Sequence, residues 1–245
     1  MSFMPMSVIR CGARGALRSY GKRGAPVQTI ARLSAVTIGC VVVLLFAQMR
    51  PVPADAPVKI VALGDSLTAG FGLPREDAFP AKLEAALKTM GLAVEIANAG
   101  VSGDTASGGL ARLDWSVPGG TDAVILELGA NDALRGLDPK VTRAALEGIL
   151  RRLKERGIAV LLAGMRAPPN LGADYVGVFD AIFPELATEH DALLYPFFLD
   201  GVAADRALNQ PDGLHPTARG IDAIVQRILP KAEELVARVK AKRNS

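Results

Sequence analysis

Short apolar segments alternate with helix-like segments along most of this chain, and this alternation restricts the fold more than any other feature. Five apolar runs have the length and composition of buried strands: 58–63, 93–97, 122–128, 158–164 and 193–198. The segments between them carry helix-capping signals and span residues 79–91, 138–157, about 175–189 and 217–242. This pattern predicts an α/β protein, a three-layer αβα sandwich around a flavodoxin-like, five-stranded parallel sheet of order 2-1-3-4-5.

Residues 1–57 have a different character from the domain predicted over residues 58–245. A basic segment precedes the uncharged run Leu33–Ala47, and small residues follow it, which is the layout of a secretory signal peptide. Cleavage is expected after Val52-Pro53-Ala54 or Ala54-Asp55-Ala56. An uncleaved membrane anchor is the less favoured alternative, because a bilayer span needs about 20 apolar residues. The chain is therefore predicted to be exported, as a periplasmic or secreted protein.

The charge and the cysteines of the domain exclude several kinds of function. Without residues 1–57 the chain keeps 21 basic and 24 acidic residues, a net charge of −3. No basic surface for nucleic acid is therefore expected. Cys11 and Cys40 both precede the domain, so the domain is predicted to lack disulfides, thiolate nucleophiles and zinc–thiolate sites.

Small polar residues follow the first and third predicted strands. "GDSLTAG" places Asp65 and Ser66 after the first strand, and "ELGANDALRG" places Asn131 and Asp132 after the third. In doubly wound sheets the loops after such strands meet in one crevice, where ligands bind. A turn with a helix cap is the simpler interpretation of each cluster taken alone.

Histidine occurs twice, at His190 and His215. His190 ends a helical segment, where a cation complements the helix dipole, and we interpret it as structural. His215 follows Asp212 by three residues in "DGLHP", so that one turn can present carboxylate and imidazole together. A serine nucleophile needs such a base and such an orienting acid, which makes Ser66, His215 and Asp212 a candidate triad. A helix-capping turn remains the alternative for "DGLHP".

Donors for an oxyanion are also available in these loops. Gly103, in "NAGVSGDTASGG", has no side chain to keep a substrate from its backbone N–H, and Asn131 offers a side-chain amide. The backbone N–H of Ser66 is the third donor, so Ser66, Gly103 and Asn131 form a candidate oxyanion hole.

Four segments together resemble a known family. "GDSLTAG", "NAGVSGDT", "LGANDALRG" and "DGLHP" occur in the order of the four sequence blocks of the SGNH hydrolases, also called the GDSL esterase/lipase family. The resemblance covers residues 58–235 and is closest to the bacterial arylesterase, lysophospholipase and acyl-CoA thioesterase I group. It implies a serine hydrolase of ester bonds, with Ser66, Asp212 and His215 catalytic and with Ser66, Gly103 and Asn131 in the oxyanion hole.

The resemblance also implies what the enzyme binds. The expected partner is a small-molecule acyl ester or thioester, with transient contact to membrane lipid as substrate, and neither cofactor nor metal is expected. The loop 165–175 resembles the acyl-site wall of that group. Ala130 stands where close relatives often have Gly, a departure expected to tighten the oxyanion loop.

Two other functions remain open. One is O-deacetylation of a saccharide or envelope polymer on the same fold. Saccharide sites usually present aromatic side chains, and Trp115, the one tryptophan, lies in an amphipathic stretch that predicts a core position. The other is a flavodoxin-like module that binds an anion without catalysis.

Overall fold

The computed structural model describes residues 56–245. The strands are β1 Val58–Gly64, β2 Val94–Gly100, β3 Ala123–Glu127, β4 Ala159–Ala163 and β5 Leu193–Tyr195. The helices are α1 Ser66–Ala69, α2 Phe79–Thr89, α3 Ala106–Ala111, α4 Leu113–Ser116, α5 Ala130–Leu134, α6 Pro139–Glu155, α7 Ala173–His190 and α8 Ala218–Arg243, with 3₁₀ turns at Arg75–Asp77 and Pro169–Leu171.

The predicted signal peptide, its cleavage positions and both cysteines lie outside the described residues. Within residues 56–245, no helix combines the length and the apolar character that crossing a membrane requires.

The five strands form one parallel sheet in the order β2-β1-β3-β4-β5. Gly64, the last residue of β1, lies opposite Gly100 of β2 and Glu127 of β3. The predicted fold class and strand order are confirmed. Because β1 and β3 are adjacent and parallel, the loops that follow them meet at the carboxyl edge of the sheet.

Every strand differs in length from its predicted run, and β2 and β5 differ most at their carboxyl ends. β2 continues to Gly100, past the apolar residues, because its backbone stays paired with β1 up to Gly64. β5 stops at Tyr195, and beyond it the N–H of Phe198 donates to the Gly164 carbonyl, outside the regular ladder with β4.

The core consists of the sheet and the helix faces turned toward it. Every residue of β3 is buried, and in β1 only Lys59 is exposed. Helices α2 and α8 pack together, and α6 packs against α3 and α7, so that each face of the sheet is covered. Helix α6 alone buries four large aliphatic side chains, Leu146, Ile149, Leu150 and Leu153. Full burial of one such side chain stabilises a fold by about 1.5–3 kcal/mol.

The predicted core position of Trp115 is wrong. Its side chain is 82% exposed, whereas Leu113 and Val117 on either side are fully buried. Helix α4 has only four residues, so it turns few side chains toward the sheet, and Leu113 takes the inward position.

We expect Gly100→Ala to destabilise the protein. A Cβ at Gly100 would lie 2.2 Å from the backbone nitrogen of Ala69 and 2.8 Å from the carbonyl oxygen of Asp65, so that the end of β2 would push against helix α1. Such overpacking lowers the free energy of unfolding by about 1–3 kcal/mol, measured by urea denaturation. Gly119→Ala is the control, because a Cβ there meets no atom within 4 Å. Equal stability of the two variants would contradict this account.

Candidate active site

Ser66 lies at the point where β1 ends and helix α1 begins. Asp65 precedes it as the helix N-cap, and its Oδ1 accepts a hydrogen bond of 2.9 Å from the backbone N–H of Leu67. Asp65 is fully buried, while Ser66 is partly exposed. The turn therefore fixes the backbone with one buried side chain and presents the next one, the Ser66 hydroxyl, at the edge of the sheet.

His215 and Asp212 complete a hydrogen-bonded chain with Ser66. Nε2 of His215 lies 3.0 Å from Oγ of Ser66, and its Nδ1 lies 2.7 Å from Oδ2 of Asp212. Because the carboxylate accepts the Nδ1 hydrogen, Nε2 is unprotonated in the neutral ring and accepts the Ser66 hydroxyl hydrogen. The structure thus brings the three predicted triad residues together.

The Asp212 carboxylate is exposed, and hydrogen bonds stabilise its charged form. Its Oδ1 accepts the backbone N–H groups of His215 and Leu214, at 3.0 and 2.9 Å. The hydrogen bond from the His215 N–H has the largest effect, followed by the bond from Leu214 and the His215 side chain. Together they lower the pKa of Asp212 to about 2. Asp212 is therefore ionised at neutral pH.

The loop that carries His215 is held against the loop after α1. The Phe71 ring packs on the His215 imidazole, with 4.5 Å between the ring centroids. Gln210 joins the same two loops, because its side-chain amide donates to the Phe71 carbonyl at 2.7 Å and its backbone N–H donates to the His215 carbonyl at 2.7 Å. Gln210 and Phe71 thus restrict the position of the imidazole.

Two of the three predicted oxyanion donors are available. Among the described residues, none accepts a hydrogen bond from the backbone N–H of Ser66 or of Gly103. Gly103 has a positive φ of 81°, which glycine adopts without strain. Its carbonyl accepts a hydrogen bond of 2.8 Å from Arg135, which fixes the orientation of this peptide.

Asn131, the third predicted donor, already has two acceptors. Its Nδ2 donates to Oδ2 of Asp65 at 3.0 Å and to the carbonyl oxygen of Asp104 at 2.9 Å. The amide therefore links the loop after β1 to the loops after β2 and β3. Its two hydrogens are used within the protein, so a bound oxyanion has to share one of them.

Two buried carboxyl groups lie beneath Ser66. Glu127, the last residue of β3, is fully buried; its Oε2 accepts the Thr68 hydroxyl at 2.7 Å and the Asp65 N–H at 3.4 Å. Burial, and then the charge of Asp65, raises the pKa of Glu127 well above its usual value. Burial also raises the pKa of Asp65, to about 6, although the Leu67 N–H and the Asn131 amide oppose that shift. At neutral pH we therefore expect Glu127 to be neutral and Asp65 to carry the charge.

Arg112 connects the ends of the same strands. Its Nε donates to Oδ2 of Asp104 at 2.6 Å, and its two terminal nitrogens donate to the carbonyls of Gly64 at 2.8 Å and Ala99 at 2.9 Å. One largely buried guanidinium thus holds the ends of β1 and β2 and the loop that carries Gly103.

Sequence reasoning missed Glu127, Arg112 and Gln210 as supports of the site. A signal existed for Glu127, because it is the one charged residue in the otherwise apolar strand β3. Arg112 and Gln210 resemble ordinary surface residues, and their partners lie in distant segments.

A cavity of about 470 Å³ opens beside Ser66 and His215. The loop after β4 supplies one wall through Met165–Pro169, the first part of the expected wall 165–175. Leu134, at the end of α5, and Leu214, in the loop before α8, also line the cavity. Its size lies within the range of about 300–1,000 Å³ typical of small-molecule sites.

The other histidine lies elsewhere. His190 is in the last turn of α7 and lines a separate cavity at the amino ends of the strands, with Ile158 and Ala159. Among residues 56–245, no group of three or more His, Cys, Asp or Glu side chains is placed to hold a metal ion.

A serine hydroxyl bonded to an imidazole that a carboxylate orients is the arrangement of a serine hydrolase. Residues 62–223 match the GDSL-like lipase/acylhydrolase family.

Arylesterase of Vibrio mimicus is 40% identical over 184 residues, 75% of this chain and 90% of that protein. Thioesterase 1/protease 1/lysophospholipase L1 of Escherichia coli (strain K12) is 38% identical over 173 residues, 70% of this chain and 82% of that protein. AlinE4, an SGNH-hydrolase family esterase of known structure, is 49% identical with a TM-score of 0.62, covering 73% of this chain and 96% of that one.

The chain therefore belongs to the GDSL-like lipase/acylhydrolase family, and the predicted resemblance is confirmed.

We expect Asn131→Ala to lower kcat by about 10²-fold with a smaller change in KM, because an oxyanion donor acts mainly in the transition state. The free energy of unfolding should fall as well, by about 1 kcal/mol, since the amide also binds Asp65 and Asp104.

Asn98→Ala is the matched control. The Asn98 amide donates to the Ala69 carbonyl at 3.3 Å, and its Oδ1 accepts the Gly100 N–H at 2.9 Å, but Asn98 does not line the cavity. This variant should lose stability and keep kcat per folded molecule. A normal kcat for Asn131→Ala would remove Asn131 from the oxyanion hole.

Proposed function

We propose that this chain, a serine esterase by its family, hydrolyses carboxylic esters and thioesters through an acyl-enzyme formed on Ser66. The observation that supports this most is the hydrogen-bonded chain from Ser66 through His215 to Asp212, which opens on a cavity large enough for an acyl group.

In the acylation step, Oγ of Ser66 attacks the carbonyl carbon of the bound ester while Nε2 of His215 takes the hydroxyl proton. The imidazolium that forms is stabilised by the ionised Asp212 carboxylate. When the tetrahedral intermediate collapses, the alcohol or thiol leaves with the proton from Nε2, and the acyl group stays on Ser66.

The negative charge of the tetrahedral intermediate lies on the former carbonyl oxygen. The N–H groups of Ser66 and Gly103 stabilise it, and the Asn131 amide joins them by sharing the hydrogen that it gives to Asp65 or Asp104. In the second half of the reaction, His215 takes a proton from the water that attacks the acyl-enzyme. When this second tetrahedral intermediate collapses, the acid is released and Nε2 returns the proton to Oγ of Ser66.

The lining of the cavity favours apolar acyl groups. Leu134 and Leu214 are each about half exposed at its wall, and Phe71, also half exposed, lies against His215. These side chains can cover an acyl chain that leaves a lipid, which supports transient contact with membrane lipid as substrate. The names of the relatives, arylesterase and thioesterase/lysophospholipase, agree with ester and thioester substrates.

The saccharide O-deacetylase alternative receives no support from the exposed Trp115. Trp115 was expected in the core, where it could not bind a sugar, but its side chain is exposed. Trp115 does not line the cavity beside Ser66, however.

We expect Ser66→Ala to abolish both ester hydrolysis and labelling by a fluorophosphonate, because the nucleophile is lost. His215→Ala should be nearly as severe, since members of a triad act as a unit. His190→Ala is the matched control and should keep its turnover within a few-fold. Hydrolysis by purified Ser66→Ala would contradict the mechanism, and a binding module without catalysis would not be labelled at all.

We also propose that the protein is exported and that residues 1–54 or 1–56 are removed. The support is the basic, apolar and small-residue order of the leader. When the full chain is produced in a Gram-negative host, N-terminal sequencing of the periplasmic protein should begin at Asp55 or Pro57. Recovery of the intact chain from membranes would favour the anchor instead.

A further inference from the structure

One cation lines the cavity beside Ser66. Arg166 follows the buried Met165 in the loop after β4, and it is the only Lys or Arg among the described residues that line this cavity, none of which is Asp or Glu. Most of the wall is apolar, and Arg166 is exposed at its rim.

The Arg166 guanidinium lies over an aromatic ring of the same cavity. Its Cζ lies 5.1 Å from the centroid of the Phe197 ring, and Phe197 is also part of the wall. A guanidinium that packs its flat face on a ring keeps its N–H groups in the plane available for other partners. The contact with Phe197 therefore restricts the guanidinium without using its N–H donors.

No protein acceptor uses those donors. Within residues 56–245, no carboxylate lies within 4.0 Å of the Arg166 guanidinium, and no hydrogen bond from it is found. Arg112 and Arg143, by contrast, each bind carboxylates. Arg166 is thus a positive charge in the cavity that also contains Ser66, and no protein group uses its hydrogen-bonding capacity.

We propose that Arg166 forms an anion subsite of this cavity, which selects esters or thioesters that carry a carboxylate or phosphate group. The planar guanidinium can bind either group through two parallel N–H···O hydrogen bonds, in a bidentate geometry. The inference rests on the proposed esterase function and adds the class of substrate. The anionic group can belong to the acyl part or to the leaving group, and the experiment separates the two.

The test compares two pairs of substrates that differ in an anionic group. Mono-p-nitrophenyl glutarate and p-nitrophenyl pentanoate place the difference on the acyl side. Butyryl-CoA and S-butyryl-N-acetylcysteamine place it on the leaving group. The readout is the ratio of kcat/KM between the anionic and the neutral member, because Arg166 belongs to the cavity wall and its replacement also changes turnover of neutral esters.

For Arg166→Gln we expect this ratio to fall about tenfold or more in one pair, since a hydrogen bond to a charged group is lost. Arg166→Lys should retain part of the ratio, because it keeps the charge without the fork. Arg151→Gln removes the same charge from the exposed face of α6, where Arg151 pairs with Glu155, and should leave the ratio unchanged.

Unchanged ratios in both pairs for Arg166→Gln, in an enzyme that hydrolyses the neutral esters, would overturn the subsite and leave the esterase function intact. A wild-type enzyme that hydrolyses neither member of either pair would instead contradict the esterase function, and the subsite with it. An equal fall for both members would show that Arg166 only packs against Phe197.

Discussion

The buried carboxylate of Asp65 is the interaction on which the rest of the site depends. One of its oxygens caps the helix that begins at Ser66, and the other accepts the amide of Asn131. A single side chain thereby sets the direction of the nucleophile and joins its loop to the loop after β3. Because Asn131 also holds the Asp104 carbonyl, the loop that carries Gly103 is fixed by the same contacts.

Three carboxyl groups near Ser66 differ in charge because their surroundings differ. Glu127 is buried in the sheet, which raises its pKa well above the usual value. Asp65 is buried but accepts two N–H groups, and its pKa is about 6. Asp212 is exposed, and hydrogen bonds lower its pKa to about 2. The arrangement keeps one negative charge where the imidazolium will form and avoids two adjacent buried charges.

The carboxyl edge of the sheet divides into two parts with different tasks. The segments after β1, β2 and β3 supply the proposed nucleophile and the proposed oxyanion donors, and Arg112 ties the strand ends together. The loop after β4 supplies the cavity wall and carries Arg166, which no described residue binds through a hydrogen bond or a salt bridge. A change in substrate preference can therefore arise from the wall without disturbing the hydrogen-bonded chain from Ser66 to Asp212.

The sequence by itself determined the alternation of strands and helices, the position of Ser66 at a strand end and the pairing of Asp212 with His215, because periodicity, turn chemistry and a three-residue spacing are local properties of the chain. Tertiary structure alone decided the supports and the wall. Ser66 and His215 are 149 residues apart, and Arg112 reaches Gly64 across 48 residues. Trp115 was misplaced for the same reason, since the exposure of a side chain depends on which neighbours pack above it. Local pattern specifies elements, and only their packing specifies which distant polar groups meet.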